Sequence, residues 1–456
     1  MPRISVVLAS LILVLAPLGI TESHPSGTSV RASDAGQTFY VNIQDDEADA
    51  LPNGICETGP GNGVCSLRAA IMEANSVASP GTDTIHLPAG NFVLTRVGVD
   101  NTAFNGDLDI LDPLLIVGQG AGSTIINGNG NVINDTVFNI LGSGGDVTMV
   151  GVKIQNGKSI AGGAGGIGNF GFDDTLTLID CVVQGNTSDP GHGAGILVAA
   201  FSKLLLINTT VSGNTASNAG GGISNIGRAT LINSTVSGNS SLNWGGGVMN
   251  NSAGDPGANL TLINSTVSGN HADRDGGGIY NGDTSAASLF NSTIANNVAD
   301  FEDNDEGEGG GIFSAGAITL TNTILSGNSH PGPLEPVLDD CKGVLQLQGY
   351  NLIRSTTGCT LQNDNSTNLK DVNPNLGVLA NNGGPTLTHA LTAGSPAIDA
   401  ANPAGCLDAT GAILLTDQRG FFRHVDGGIG QSRCDIGAFE ALAGQAMWGF
   451  LPLIIR

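Results

Sequence analysis

The sequence predicts an all-β chain: a right-handed parallel β-helix with a short N-terminal capping helix and a disulfide-tied C-terminal module. Three observations lead there. The nonapeptide "LINSTVSGN" occurs twice, at Leu231–Asn239 and Leu262–Asn270. Four degenerate copies, starting at Leu178, Leu206, Leu289 and Leu320, keep register with it at steps of 25 to 31 residues. The composition, 70 glycines in 456 residues with 4% aromatic and 12% charged side chains, suits a long thin core of Val, Ile, Leu and Ala rather than a compact one.

Residues 1–23 read as a secretory signal, since Arg3 precedes an apolar run, Ile4 to Leu18, that is too short for a spanning helix. Residues 24–82 form an N-terminal cap. Within it "CSLRAAIMEAN" (Cys65–Asn75) reads as a short helix, with Ser66 as its cap and Leu67, Ala70, Ile71 and Ala74 on one face.

Residues 83–330 carry the repeats. Each unit contains three short runs with period-two alternation, as in "LTLIN", "STVSGN" and "GGGIYN" (Leu260–Asn281), and each run ends at Asn or Gly. Gly, Asn, Ser and Thr are poor helix formers, which excludes a helical solenoid. Stacked coils place like on like, so Leu262 and Val267 are expected to extend inward apolar columns, and Asn233, Asn264 and Asn291 a hydrogen-bonded amide ladder. The triple glycines at Gly220, Gly245, Gly276 and Gly309 mark tight turns, and the variable lengths fall in loops. About ten coils are expected.

Residues 331–440 lose the repeat, and an apolar tail, 441–456, follows. Seven cysteines in an exported chain suggest, by sequence neighbourhood, the disulfides Cys56–Cys65, Cys341–Cys359 and Cys406–Cys434. Cys181, at a repeat position otherwise Ser or Thr, is left as a buried free thiol. A net charge of −24 disfavours nucleic acid and anionic membrane surfaces as partners.

Several stretches together resemble the bacterial secreted proteins that combine a Cys-Ser-Leu-Arg-Glu-Ala (CSLREA) domain, polymorphic outer-membrane-protein-like repeats and a choice-of-anchor end module. They are "CSLRAAI" at Cys65, "DTIHLPAG" at Asp83, "GDLDI" at Gly106, the repeats, "NGGPTLTHAL" at Asn382, "GSPAIDA" at Gly394, "DQRGFFR" at Asp417 and "CDIGAFE" at Cys434. The Glu of the first motif is Ala69 here, which favours a structural role for that segment. The resemblance implies a secreted or cell-surface β-helix and carries over no catalytic residue. The tail "AMWGFLPLIIR" has too few apolar residues to span a bilayer, so no transmembrane span is expected after signal removal.

For chemistry, the acidic run "DFEDNDEGE" supplies the candidate metal ligands Asp300, Glu302, Asp303, Asp305, Glu306 and Glu308, whose hard oxygens suit Ca²⁺; a solvated loop is the competing reading. No cofactor is required. Glycan hydrolysis needs paired carboxylates, for which Asp173, Asp174 and Asp189, or Asp255, Asp273 and Asp275, are candidates, although acids beside glycine turns also serve the turns themselves. A lyase needs basic partners, and Arg228 and Arg274 are the arginines of the regular coils. Trp244 and Tyr280, beside the glycine anchors, are candidates for stacking on sugar rings. No histidine pair has zinc spacing, and no G-x-S-x-G elbow occurs. The expectation is a non-catalytic exported or cell-surface scaffold, adhesin-like, that binds polysaccharide, a surface protein or another cell-envelope component. The alternative is a pectate-lyase-like polysaccharide-cleaving enzyme.

Overall fold

The computed structural model describes residues 36–76, 81–142, 145–252, 254, 257–302, 307–423 and 433–441. The expected signal segment, nearly all of the tail, and Asp255, Asp303, Asp305 and Glu306 lie outside them.

Alternation along each run decides which side chains enter the coil. In Asn259–Ile263 and its counterparts the second and fourth residues are buried and the others are not, and parallel pairing then sets each inward residue on its copy. One column runs Leu178, Leu206, Leu231, Leu262, Leu289, Leu320. A second runs Val183, Val211, Val236, Val267, Ile294, Leu325. A third runs Ile196, Ile223, Val248, Ile279, Ile312. All are fully buried, and each such side chain contributes roughly 1.5–3 kcal/mol relative to exposure. The strands form parallel sheets of twenty, eleven and five strands. The chain is thus an all-β parallel β-helix.

The coils continue beyond residue 330. Cys341–Leu347, Leu352–Ile353, Cys359–Gln362 and Leu369–Lys370 all pair in parallel with the stack although the repeat motif has gone. Inward Leu345, Leu347 and Ile353 replace the motif, because a coil needs only apolar residues at the inward positions.

The amide ladder forms at a different asparagine from the one expected. Asn233, Asn264 and Asn291 occupy left-handed turn positions, with φ of 51°, 48° and 49°. It is the closing Asn of each nonapeptide that points inward. Each of Asn186, Asn214, Asn239, Asn270 and Asn297 accepts or donates in one chain of bonds in which Nδ2 of one coil reaches Oδ1 of the next at 2.9–3.0 Å. The chain continues through Asn328 and ends on Asp340. A hydroxyl column, Thr209, Ser234, Ser265 and Ser292, runs beside it. Cys181 occupies its first position, buried and free, its thiol donating to the carbonyls of Met149 and Ile179.

The glycine triplets serve the ladder. The first glycine has positive φ, 64° at Gly245; at the third, a Cβ on Gly247 would lie 2.6 Å from the Gly278 carbonyl oxygen and 2.9 Å from Asn270 Nδ2. The turn and the ladder therefore require each other.

At the N-terminal end the helix Leu67–Ala74 covers the stack, with Ser66 Oγ accepting from the Ala69 amide at 3.0 Å. At the C-terminal end residues 372–423 and 433–441 fold back along the flank of the stack. A hairpin, Leu376–Ala380 with Thr388–Leu391, leads into loops tied by Cys406–Cys434. This module covers the outer face of the eleven-stranded sheet from Thr235–Ser237 onward. Gln418 accepts from Thr266 Oγ1 at 2.6 Å and donates to Thr235 Oγ1 at 2.9 Å, and Asn264 and Asn291 donate to the carbonyls of Thr416 and Leu407, Asn291 keeping one rung of the expected ladder by accepting from Asn322 Nδ2 at 2.7 Å. Among the described residues no helix is long and apolar enough to cross a membrane.

Candidate functional site

The connections that enter the long strands Thr175–Ile179, Lys203–Ile207 and Arg228–Ile232 vary in sequence from coil to coil, so they are free to carry function. Two of them each project a phenylalanine. Phe172 and Phe201 are 63% and 49% exposed, and their ring centroids lie 5.3 Å apart. Phe201 sits at φ 68°, a left-handed conformation that costs a non-glycine residue about 1–2 kcal/mol and collects at functional sites.

Lys203 and Arg228 are register partners on adjacent coils, which stacks two cations on one edge. In a chain of net charge −24 whose regular coils contain few basic residues, this pairing is the opposite of what charge spreading would produce. Lys203 Nζ contacts Asp173 Oδ1 at 2.6 Å. That hydrogen bond and charge, with a smaller contribution from Arg228, hold the exposed Asp173 carboxyl below its usual range. The rings and cations line a hollow of about 170 Å³, floored by Ile226 and Gly227. Phe172 and Asp173 also border a wider cleft of about 720 Å³ that runs past Asp146 toward Pro113. The hollow offers two apolar ring faces, two guanidinium or ammonium donors and one carboxylate: enough to hold a flat, partly anionic, hydroxyl-bearing ligand.

The residues expected from sequence are placed differently. Of the acidic run, Asp300 is buried at φ 51° with its amide directed at the Arg274 carbonyl, Glu302 is exposed, and Glu308 pairs with Lys342 Nζ at 2.5 Å. Among the described residues no three His, Cys, Asp or Glu side chains form a metal-binding group. Asp174 is buried and accepts from the Gly145 amide at 3.0 Å, and Asp189 is exposed at a turn. Burial raises the pKa values of Asp273 and Asp275; Asp275 Oδ1 accepts from the Glu308 amide of the next coil at 3.0 Å. Trp244 and Tyr280 are half-buried members of a side-by-side column in which Tyr280 stacks on Phe313 at 5.3 Å, so their faces are largely used within the protein. Arg228 belongs to the hollow and Arg274 does not. The three disulfides are Cys56–Cys65, Cys341–Cys359 and Cys406–Cys434.

Sequence reasoning missed Phe172, Phe201 and Lys203. They stand outside the repeated motif, and the one signal available was two phenylalanines in "GFDD" and "AAFSK" in a chain with 4% aromatics.

No protein-family model matches the sequence, and no curated protein matches it either. Among solved structures, pectate lyase Pel9A superposes with a TM-score of 0.50 and 14% identity over 89% of this chain and 96% of that one. The A-module of the Azotobacter vinelandii mannuronan C-5 epimerase AlgE6 also matches, with a TM-score of 0.31 and 14% identity over 70% of this chain and 96% of the module. The chain therefore shares the parallel β-helix fold of pectate lyase Pel9A.

Proposed function

We propose that the protein is an exported, non-catalytic β-helix scaffold that binds an acidic polysaccharide in the Phe172–Phe201 hollow. The observation that carries this reading is the stacking of Lys203 on Arg228 beside two exposed rings. Ring faces bind the C–H faces of sugars, and paired cations bind carboxylates. Lys203 stands in an ion pair with Asp173, an arrangement that suits a charged binding group better than a proton acceptor. Three disulfides suit an oxidising, extracellular setting, in line with the resemblance to secreted CSLREA and choice-of-anchor proteins.

Pectate, the polymer named for the lyase whose fold is shared, is the first probe, with a neutral glucan as its control. Affinity electrophoresis is expected to retard the protein on pectate more than on the glucan, and Phe172→Ala with Phe201→Ala to lower that affinity at least tenfold. Equal retardation of the double variant would remove the hollow from the argument. Release of new reducing ends or unsaturated products from pectate would make the protein a polysaccharide-cleaving enzyme instead.

A further inference from the structure

The first coils bury more carboxyl groups than the protein's own cations match. Arg68 is fully buried beneath the loop of residues 98–107. Its guanidinium takes both carboxylate oxygens of Asp46, at 2.6 and 3.2 Å, and donates to the carbonyls of Ala103, Gly106 and Asp107. One cation thus answers one anion. Arg96 lies on the outer side of the loop, stacked on the Phe104 ring at 4.5 Å with Nε on the Phe104 carbonyl at 2.7 Å.

Three further carboxylates crowd the same loop. Asp107 and Asp109 are 2% and 0% exposed. Asp107 Oδ2 accepts from Asn139 Nδ2, and Asp109 Oδ2 accepts from the Ala103 amide at 3.2 Å. Asp109 Oδ1 has no hydrogen-bond partner among the described residues, and neither has Asp135 Oδ2. Asp135 Oδ2 lies against the loop's closing turn, since a Cβ on Gly106 would stand 2.7 Å from it. The loop itself is held by Asp100, which accepts from the amides of Thr102, Phe104 and Asn105. A buried carboxylate oxygen without a donor is costly, and a cation relieves that cost directly.

We propose that Asp109 Oδ1 and Asp135 Oδ2 are ligands of a divalent hard cation of the calcium class that pins the 98–107 loop to the first coils. Because no three His, Cys, Asp or Glu side chains among the described residues are placed to hold a metal ion, these two carboxylates are its side-chain ligands, and backbone carbonyls and water complete the shell, as hard cations accept. This site is separate from the glycan hollow and from the acidic run at Asp300–Glu308.

The test is calorimetric titration of CaCl₂ into the full, chelator-treated chain at neutral pH, paired with melting curves in calcium and in chelator. One ion per chain and a higher melting temperature in calcium are expected, with Asp109→Asn and Asp135→Asn each weakening binding at least tenfold. Asp135 is half-buried at a turn, so its variant stays informative if Asp109→Asn does not fold. Absence of both heat and melting shift in the native chain overturns the proposal. So does binding that survives Asp135→Asn and is lost in Glu302→Gln, which would place the ion in the acidic run.

Discussion

Asp340 ends the asparagine ladder, and that single exchange of amide for carboxyl gives the column a pH-sensitive end. Its Oδ1 accepts from both the amide and Nδ2 of Asn328, and its Oδ2 accepts from the Ser355 amide at 2.8 Å. Burial raises its pKa from 3.8 to about 6 despite these donors. A carboxyl whose folded pKa lies above its unfolded one binds more protons in the folded state between the two values. Its stabilising contribution is complete below about pH 4 and is lost as pH rises through about 6. Relative to Asp340→Asn, the wild-type melting temperature is therefore expected to fall between pH 4 and pH 7, by an amount that corresponds to roughly 3 kcal/mol. The variant also loses the Ser355 bond, but at every pH, so that loss is an offset and not a slope. A difference in melting temperature that stays constant across the range would contradict the assignment.

At the scale of elements, the flank module is held to the stack by buried polar contacts beside an apolar cluster that joins Ile324 and Leu352 of the coils to Leu391 and Ile436. Gln418 is its central pin. Fully buried, it accepts from Thr266 Oγ1 and donates through Nε2 to the Ser234 carbonyl and to Thr235 and Thr386 hydroxyls. Arg423 adds a bond of 2.8 Å to Asn264 Oδ1, and His389 Nε2 meets Ser268 Oγ at 2.8 Å. Gln418→Ala leaves the buried Thr266 hydroxyl without its acceptor, a loss that costs about 1–3 kcal/mol, while Thr235 and Thr386 lose a donor but keep their bonds to the Leu387 and Asn233 carbonyls. The expected outcome is a module that opens while the coils stay folded: faster proteolysis within residues 372–441, with the far-ultraviolet spectrum unchanged. Cleavage at the wild-type rate would show that the module's disulfide and apolar cluster suffice to hold it.

For the whole molecule, the cysteines divide by position. The disulfides tie the cap and the C-terminal region, while the central coils contain only Cys181. Burial pushes its thiol up to about 11, so at neutral pH it is neutral as well as covered. Alkylation of the native protein is expected to label no cysteine, and alkylation after unfolding without reductant to label one, at Cys181. A label on the native chain, or none after unfolding, would rule out this pairing.

How much could be read beforehand depended on the range of the interaction. Period-two alternation and the repeat step determined the coils, the inward columns of Leu262 and Val267, and the capping helix at Ser66, because strand pairing between identical segments is specified by the segments themselves. The ladder's place was misread by local spacing alone, since both asparagines of the nonapeptide repeat with the same period and only backbone geometry tells which one turns inward. The hollow was illegible for the converse reason: Phe172, Phe201 and Lys203 lie in connections that repeat nothing. The tripeptide Thr-Val-Ser states the limit most plainly. At Thr210–Ser212 its outer residues are half-exposed, whereas at Thr235–Ser237 and Thr266–Ser268 the same three residues are wholly buried. The sequence determined by itself that these residues form one strand of a β-helical coil; only the tertiary structure decided which copies lie under the flank module, because that contact joins residues about 150 positions apart, as from Thr266 to Gln418, and no local pattern records it.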